Sequence, residues 1–435
     1  MLTGPVKIFT TSIVPRLNYV ADLILNDILG LSWKVITDRR KLGKGTIINY
    51  SNEIVPGSFR LSPVTLLFES GIRKQEIYVN NWKNLPVFFQ TTEDSDLPFD
   101  IFAATFFLVS RYEEYLDFEP DEHGRFRASH SLAYKHGFLG IPVINLWAVE
   151  LARLLLRKYQ TITFRRNDFK ALLTIDVDEP FAYRGRNLIG NIGEFINDIT
   201  SKPHKAAHRL GCLAGREKDP YEVFDYLSDN IRDSKADAKF FFPVGDHSEH
   251  DRNPSWKNAE YRKLISAIAG KFSVGIHPSF KAATNILTVG AELKRLKAIL
   301  KREITVSRFH FLKIVMPQSY RNISSAGIVE DYSMGFHDEP GFRAGIAGPF
   351  MFYDVAVDRL TNLRIYPFQV MDVTLTNYKK LDPGSAREVI KKLISETRRA
   401  RGTFISIWHN TTLLDNPESR EWREVFEFTL KNQMP

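Results

Sequence analysis

The second part of the chain alternates apolar runs of strand length with segments whose apolar residues recur at helical spacing. Strand-like runs occur at 171–176, 239–243, 272–277, 305–311, 328–331, 367–373 and 403–407. Helix-like segments occur at 221–232, 259–269, 290–302, 317–326, 384–400 and 419–431. Strands that alternate with helices predict a parallel sheet with right-handed crossovers. Seven such strands favour a barrel-like closure over an open sheet.

The first part of the chain has a less regular pattern of short strands and helices. Strands are predicted at 6–10, 32–37, 46–50 and 63–69, and helices at 17–29, 99–115 and 145–159. No spaced set of polar residues in this part implies chemistry. We therefore predict a small α/β domain of unknown role over residues 1–165, followed by the barrel over 170–435.

Composition narrows the class of protein. The chain has 435 residues and a formal net charge of +8, but its basic residues are dispersed and no nucleic-acid-binding motif occurs, so nucleic acid is not an expected partner. No segment has the pattern of a signal peptide or the length of a membrane span, which predicts a cytoplasmic protein. Because Cys212 is the single cysteine, a disulfide within the chain and a cysteine-rich metal site are excluded. Oligomeric state is not predicted.

Polar residues stand at the carboxyl ends of nearly all the predicted strands of the second part. They are Asp176 and Asp178, His277, Arg308 and His310, Asp331, Asp372 and His409. A single such residue is more often part of a core or a polar loop, and Asp176 with Asp178 alone has that interpretation too. Because the carboxyl ends of barrel strands carry the active site in α/β barrels, the whole set favours a catalytic centre.

The residue types indicate metal-assisted hydrolysis. Asp178 and His277 are candidate ligands of a divalent metal, which polarises a carbonyl and lowers the pKa of bound water. Asp176 is then the candidate general base, which Arg308 holds ionised and oriented. His409 is the candidate acid that protonates the leaving group. Such a set of groups suits the hydrolysis of an amide or an ester.

These residues resemble the motifs of the polysaccharide deacetylases of the carbohydrate esterase type, the NodB-like family. Thr174-Ile175-Asp176-Val177-Asp178 resembles the first motif, with its base and its metal-binding Asp. The other matching stretches are Gly275 to Lys281, Ser307 to Phe311, Asp331 to Ser333 and Ser406 to His409. The resemblance implies a distorted (β/α)7 barrel that removes acetyl groups from sugars with a divalent metal. Zinc is the first choice, with cobalt, nickel or manganese as alternatives.

One departure from the family concerns the metal ligands. The second motif has a second His where this chain has Lys281. The missing ligand is replaced by His310, or Ser279 and water fill the position, or metal binding is weak or lost. Arg343, in a Gly-rich stretch, either contacts substrate or only braces its loop. Asp331 and Trp408 are further candidates for substrate binding.

The resemblance implies an enzyme that deacetylates an amino sugar of a polysaccharide or its precursor. A catalytically weak or inactive relative that binds carbohydrate is the alternative, which the loss of the second His favours. Hydrolysis of another small amide uses the same groups. The first 165 residues resemble an extra N-terminal domain of some bacterial deacetylase-like proteins.

Overall fold

A computed structural model describes residues 4–165, 167–184 and 203–434. The chain divides into two compact units. Unit one comprises residues 1–170, 341–367 and 395–404, and unit two comprises 171–340, 368–394 and 405–435. The domain boundary that the sequence suggests between 165 and 170 stays a prediction. Unit one differs from the predicted first domain because two later segments belong to it.

Unit one contains a four-stranded parallel sheet in the order β2-β1-β3-β4. Its strands are β1 Val6–Phe9, β2 Trp33–Ile36, β3 Ile47–Asn49 and β4 Phe59–Arg60. Two antiparallel hairpins pair β5 Asn80–Trp82 with β6 Leu85–Val87, and β12 Phe350–Asp354 with β13 Arg359–Ile365. The predicted strand at 63–69 is wrong, since Thr65–Leu67 forms a 3₁₀ turn. Pro63 has no amide to donate, and the amide of Val64 donates to the Asp100 side chain instead of a neighbouring strand.

The three helices predicted in the first part are confirmed. Pro15–Ala21 continues as a π-helix over Asp22–Ile28, and Val143–Tyr159 spans 17 residues. Ile101–Val109 is buried along its whole length, as its uniformly apolar sequence requires, and the Asp100 side chain caps its first amides. It ends earlier than the predicted residue 115, because Arg111 adopts a left-handed conformation with φ of 55°.

Unit two is built on seven strands, and five parallel ladders join neighbouring strands among them. They are β7 Lys170–Asp176, β8 Ala238–Phe242, β9 Ser273–Ile276, β10 Val306–Ser307, β11 Glu330–Asp331, β14 Val370–Met371 and β15 Thr403–His409. Their spatial order is β11-β10-β9-β8-β7-β15-β14. The order therefore runs from β11 back to β7 and then to β15 and β14. The alternating α/β pattern and the parallel sheet are therefore confirmed.

A closed barrel is not seen in the described part of the chain. No ladder joins β11 to β14 among the described residues. One backbone hydrogen bond, from the amide of Phe368 to the carbonyl of Met334 at 3.0 Å, connects the segment before β14 to the segment after β11. Within the same described ranges, no helix combines the length and the apolarity needed to cross a bilayer.

Six helices of unit two correspond to the predicted periodic segments. They are Phe224–Ser234, Ala259–Ala269, Ile286–Leu300, Gln318–Ser325 and Pro417–Asn432, together with Pro383–Arg399, which begins in this unit. A further helix, Pro203–Leu213, was not predicted from the sequence. Asn258, Asn285 and Asn416 cap three of them with their side-chain oxygens. Such caps satisfy amides that have no partner within the helix, which fixes where each helix begins.

The parallel register brings the polar strand ends to one edge of the sheet. Ser307 pairs with Ile276 on one side and with Asp331 on the other, while Asp176 pairs with Phe241. His277 and Arg308, which follow directly after paired residues, are therefore neighbours at that edge. The strand ends named from sequence thus meet in one place, as parallel pairing requires.

A buried carboxyl group stabilises the turn after β9. Glu292 lies on the helix Ile286–Leu300 and is 1% exposed. The amide and the hydroxyl of Ser279 donate to its two oxygens at 3.0 and 2.5 Å. Burial raises the pKa of Glu292 from 4.5 to about 7, despite the two bonds from Ser279. The native protein therefore keeps a proton on this group that the unfolded chain releases.

We expect Glu292→Gln to flatten the pH dependence of stability. The contribution of Glu292 is complete below pH 4.5 and is lost as the pH rises to about 7, a loss of about 3 kcal/mol at most. Urea unfolding at pH 5 and pH 7 measures the free energy of unfolding of both proteins. Glu260→Gln, an exposed substitution on the helix Ala259–Ala269, is the matched control. If the free energy of unfolding of Glu292→Gln changed between pH 5 and pH 7 as much as that of the wild type, the raised pKa would not belong to Glu292.

Candidate metal centre

Asp176 ends β7, and its carboxylate is held by a buried cation. One oxygen accepts a hydrogen bond from Nη1 of Arg308 at 3.0 Å, and the same nitrogen donates to the Thr174 hydroxyl at 2.7 Å. The side chains of Arg308 and Asp176 are 0% and 3% exposed. The pair satisfies two charges that would each be costly to bury alone. The second carboxylate oxygen of Asp176 lies 3.9 Å from Nε2 of His277 and 4.0 Å from Nε2 of His409.

Three side chains of metal-binding type converge beside Asp176. Asp178, His277 and His310 each offer one ligand atom, and these atoms lie within 4.8 Å of one another. Nε2 of His277 is 3.1 Å from Oδ1 of Asp178, and Nε2 of His310 is 3.6 Å from Oδ2. The structure thus brings together the three residues that the sequence analysis named as ligands.

Both imidazole rings are oriented by hydrogen bonds on the side away from Asp178. Nδ1 of His277 is 2.5 Å from the carbonyl oxygen of Arg308, and Nδ1 of His310 is 2.9 Å from a carboxylate oxygen of Asp251. Because a carbonyl and a carboxylate only accept, Nδ1 carries the proton in both rings. Nε2 is then the nitrogen that is available to a metal, an arrangement typical of ligating histidines.

The donor set fits a borderline divalent cation. Oδ1 of Asp178 is a buried atom for which the described residues provide no hydrogen-bond partner. A tetrahedral zinc site places its nitrogen and oxygen ligands about 3.3–3.5 Å apart, which agrees with the 3.1 and 3.6 Å found here. Burial raises the pKa of Asp178, but His310 and His277 outweigh this and hold it well below its usual value. The group is therefore an anion ready to bind a cation.

Protons and a cation compete for this centre. Burial lowers the pKa of His310, but Asp178 and Asp251 raise it to about 9 on balance. Without a metal, His310 therefore holds a second proton near neutral pH. A bound cation takes the place of that proton, so metal binding releases it.

A second histidine–carboxylate pair also lies close to Asp176. Nδ1 and the backbone amide of His409 contact the two oxygens of Asp372, each at 2.7 Å. Nε2 of His409 is 4.0 Å from Asp176 and 3.7 Å from Asp178. Burial lowers the pKa of His409, but Asp372, Asp178 and Asp176 together raise it to about 10. His409 is therefore protonated near neutral pH and can donate from Nε2.

Neither Lys281 nor Ser279, the residues of the second motif, is among the side chains that converge at this centre. Lys281 is exposed on the 3₁₀ turn Phe280–Ala283. The hydroxyl of Ser279 donates to Glu292 at 2.5 Å, so it is already engaged. Of the alternatives left open by the sequence, the replacement of the missing His by His310 is therefore the one that this geometry favours.

The three residues assigned to substrate binding lie in other surroundings. Asp331 is fully buried, is held by Ser307 and Ser333, and burial raises its pKa to about 6. Trp408 is 1% exposed and packs edge-on against the ring of Phe426 at 5.2 Å. Their contact with substrate stays a prediction.

Arg343 belongs to unit one, where it is 4% exposed. Its Nε and Nη2 donate to the two oxygens of Glu114, at 2.9 and 2.6 Å. Its carbonyl oxygen accepts a hydrogen bond from Arg111. These contacts fit the bracing role given as the alternative, and a contact with substrate stays a prediction.

Sequence reasoning missed Asp251 and gave no role to Asp372. Asp251 lies in the loop after β8, the one predicted strand of the second part at whose end no polar residue was noted. The carboxylate of Asp251 also accepts hydrogen bonds from the hydroxyl of Ser248 and from the amide of Phe280. These two bonds hold it in contact with Nδ1 of His310. The sequence did hold one signal that could have led to Asp251. Each of the other predicted strands of the second part has a polar residue at its end, so the strand without one indicated that a residue had been overlooked.

We expect Arg308→Met to destabilise unit two strongly, because it leaves the Asp176 carboxylate buried without its cation. Breaking such a pair costs about 3–5 kcal/mol. Asp176→Asn combined with Arg308→Met should recover part of this loss, as measured by urea unfolding. Arg302→Met, at an exposed position, serves as the control and should change stability little. A loss under 1 kcal/mol in the single Arg308 variant would contradict the assignment.

Comparisons with known proteins relate parts of this chain to others. The model of a family described as "Family of unknown function (DUF7033)" matches residues 6–160. No curated protein matches the chain. Among solved structures, a candidate polysaccharide deacetylase from Mycobacterium smegmatis is similar with a TM-score of 0.40 and 12% identity over 61% of this chain and 84% of that one.

Two further structures show how varied the similar proteins are. A CE4 family pseudoenzyme from Bacillus anthracis gives a TM-score of 0.31 and 9% identity over 61% of each chain. A 4-alpha-glucanotransferase from Thermococcus litoralis gives 0.34 and 10% over 62% of this chain and 37% of that one. Such remote likenesses assign no activity to this chain.

Proposed function

We propose that unit two is a metal-dependent hydrolase that removes acetyl groups from an amino sugar of a polysaccharide or its precursor. The observation that carries the proposal is the convergence of Asp178, His277 and His310 within 4.8 Å, beside Asp176. The family resemblance of the motifs supports the substrate class. We further propose that the seven strands form the distorted (β/α)7 barrel which that resemblance implies, with its seam between β11 and β14.

The centre would hold a divalent cation, with zinc as first choice and cobalt, nickel or manganese as alternatives. When bound, the cation supplies Lewis-acid polarisation of a carbonyl and lowers the pKa of water. Asp178, His277 and His310 would hold it. The chain itself supplies the groups that move protons and fix their positions.

Asp176 serves as the general base. Arg308 keeps one of its oxygens engaged at 3.0 Å. The other oxygen lies 3.9 Å from Nε2 of His277 and 4.0 Å from Nε2 of His409, so it faces the space between the two rings. A carboxylate fixed in this way accepts a proton without having to reorganise.

His409 serves as the general acid. Its Nδ1–H is held by Asp372, which leaves Nε2 as the donating atom. The amine of an amide is a poor leaving group unless its nitrogen is protonated. The imidazolium of His409, whose Nε2 lies 4.0 Å from Asp176, can supply that proton.

A carbohydrate is the expected substrate, and a nucleic acid is not an expected partner. We place the reaction in the cytoplasm, on an intermediate rather than on a finished extracellular polymer. The alternative is a carbohydrate-binding protein without activity. The exposed Lys281 would favour that alternative only if His310 failed to act as a ligand.

Asp176→Asn should lower the hydrolysis of acetylated chito-oligosaccharides by at least about 100-fold, because general-base catalysis contributes about 10²–10⁴-fold. Acetate release at a saturating zinc concentration is the measurement. Asp246→Asn, at a carboxylate that is 81% exposed and bonded to Arg295, should keep wild-type activity. Wild-type activity in the Asp176 variant would assign the base elsewhere, and no acetate release from the wild type would favour the binding protein.

His310→Ala should raise the zinc concentration needed to restore activity after chelation by more than the 10–100-fold typical of losing an outer-shell partner. The reason is that this substitution removes a ligand itself. Lys281→Ala should leave the zinc requirement unchanged, because Lys281 is exposed. Activity titrated against zinc measures both. If Lys281→Ala raised the zinc requirement and His310→Ala left it unchanged, the ligand would be Lys281 and not His310.

A further inference from the structure

A second cluster of metal-binding side chains lies around the helix Pro203–Leu213. His208 and Cys212 stand four residues apart, so they lie on the same face of this helix, one turn apart. Glu217 follows the helix and returns to this face. The ligand atoms of the three side chains lie within 4.8 Å of one another. None of the three belongs to the centre formed by Asp178, His277 and His310.

The local backbone explains why Glu217 reaches the helix. Gly215 adopts a left-handed conformation with φ of 70°, which reverses the chain after the last helical turn. The amides of Arg216 and Glu217 then both donate to the carbonyl oxygen of Gly211, at 2.9 and 3.2 Å. Glu217 is thereby fixed above Gly211 by two backbone hydrogen bonds.

Gly211 leaves the space that the Glu217 side chain occupies. A Cβ atom at this position would lie 2.7 Å from Cδ of Glu217. Glycine inside a helix costs about 1 kcal/mol relative to alanine. Here the absence of a side chain lets the Glu217 carboxylate approach the ring of His208.

The distances between the three donor atoms agree with one shared metal ion. Sγ of Cys212 is 3.6 Å from Nε2 of His208, and the same nitrogen is 3.2 Å from Oε2 of Glu217. Tetrahedral zinc with ordinary bond lengths places its sulfur and nitrogen ligands about 3.6 Å apart and its nitrogen and oxygen ligands about 3.3–3.5 Å apart. Cys212 and Glu217 both contact Nε2 of His208. A proton relay through the imidazole would need one partner on each ring nitrogen, so the arrangement suits a shared ion instead.

Two of the three side chains of the cluster are accessible from solvent. The side chains of His208 and Glu217 are 40% and 50% exposed, whereas Cys212 is buried behind them. The thiol of Cys212 donates to the carbonyl oxygen of Lys218 at 3.1 Å. Metal binding would break the S–H bond, form a metal–sulfur bond and pass the proton to solvent.

We propose that His208, Cys212 and Glu217 form a second divalent-metal site, suited to zinc, with a fourth position left for water. A thiolate, an imidazole and a carboxylate together favour zinc over magnesium or calcium, which prefer oxygen ligands alone. The ion would fasten the turn at Gly215 to the helix Pro203–Leu213. The proposal is independent of any activity at the other centre.

Cobalt substitution tests the site directly, because Cys212 is the only cysteine of the chain. The apoprotein loaded with Co²⁺ should show thiolate-to-cobalt charge-transfer absorption, which the Asp178, His277 and His310 centre cannot produce. Cys212→Ser should abolish this band, and His310→Ala should retain it. If the wild-type protein with excess Co²⁺ shows no such band, the proposal is overturned. A band without acetate release would leave this site intact and contradict only the proposed hydrolase.

Gly211→Ala separates metal binding from folding. Alanine should make the helix more stable, while its Cβ displaces the Glu217 carboxylate. We expect the Co²⁺ concentration that half-saturates the charge-transfer band to rise about 10-fold or more. Gly290→Ala, at a helical glycine with open space around it, is the matched control and should leave the value unchanged. Equal half-saturation in wild type and Gly211→Ala would exclude Glu217 as a ligand and overturn the three-ligand site.

Discussion

The buried guanidinium of Arg308 is the constraint on which the candidate centre depends. Its nitrogens bind Asp176, Thr174 and the carbonyl oxygen of Tyr332, while its own carbonyl oxygen faces Nδ1 of His277. An arginine stays charged even when burial lowers its pKa, so a fully enclosed one requires these partners. One residue thus fixes both the candidate base and the ring of a candidate ligand, across three strand ends.

Two histidine–carboxylate pairs then complete the centre in the same manner. Asp251 holds His310 and Asp372 holds His409, in each case through Nδ1, so that both Nε2 atoms face Asp178. The similarity is physical, since a carboxylate both orients an imidazole and makes it more basic. The two histidines, His310 and His409, differ in the surroundings of Nε2. His310 shares its space with His277 at a ring separation of 5.0 Å, as ligands of one ion do.

Sequence patterns predicted the strands and helices of unit two well, because apolar periodicity and capping are local properties. The helix Ala259–Ala269 has the predicted bounds, and β7 differs by one residue. The strand predicted at 305–311 was too long, since Phe311 and Leu312 have φ of 60° and 53°, and β10 covers only Val306–Ser307. Local propensity does not reveal such left-handed residues in apolar positions, and here they follow directly after a candidate ligand.

The site residues divide in the same way between local and long-range information. His277, Arg308 and His409 could be named because each stands at the end of its strand in the sequence. Asp251 could not, because it lies in a loop 59 residues from its partner His310, and only the folded chain brings them to 2.9 Å. The same is true of Glu292 and its hold on Ser279.

The two candidate metal clusters of unit two differ in one donor, and this difference predicts how metals would distribute between them. The centre at the strand ends offers one carboxylate and two imidazoles, which accept a range of borderline divalent ions. The cluster on the helix Pro203–Leu213 replaces one imidazole with a thiolate, which increases its preference for softer ions. Manganese would therefore enter the first centre far more readily than the second, whereas zinc suits both. The sulfur of Cys212, the single cysteine of the chain, is the donor that distinguishes the two candidate sets of ligands.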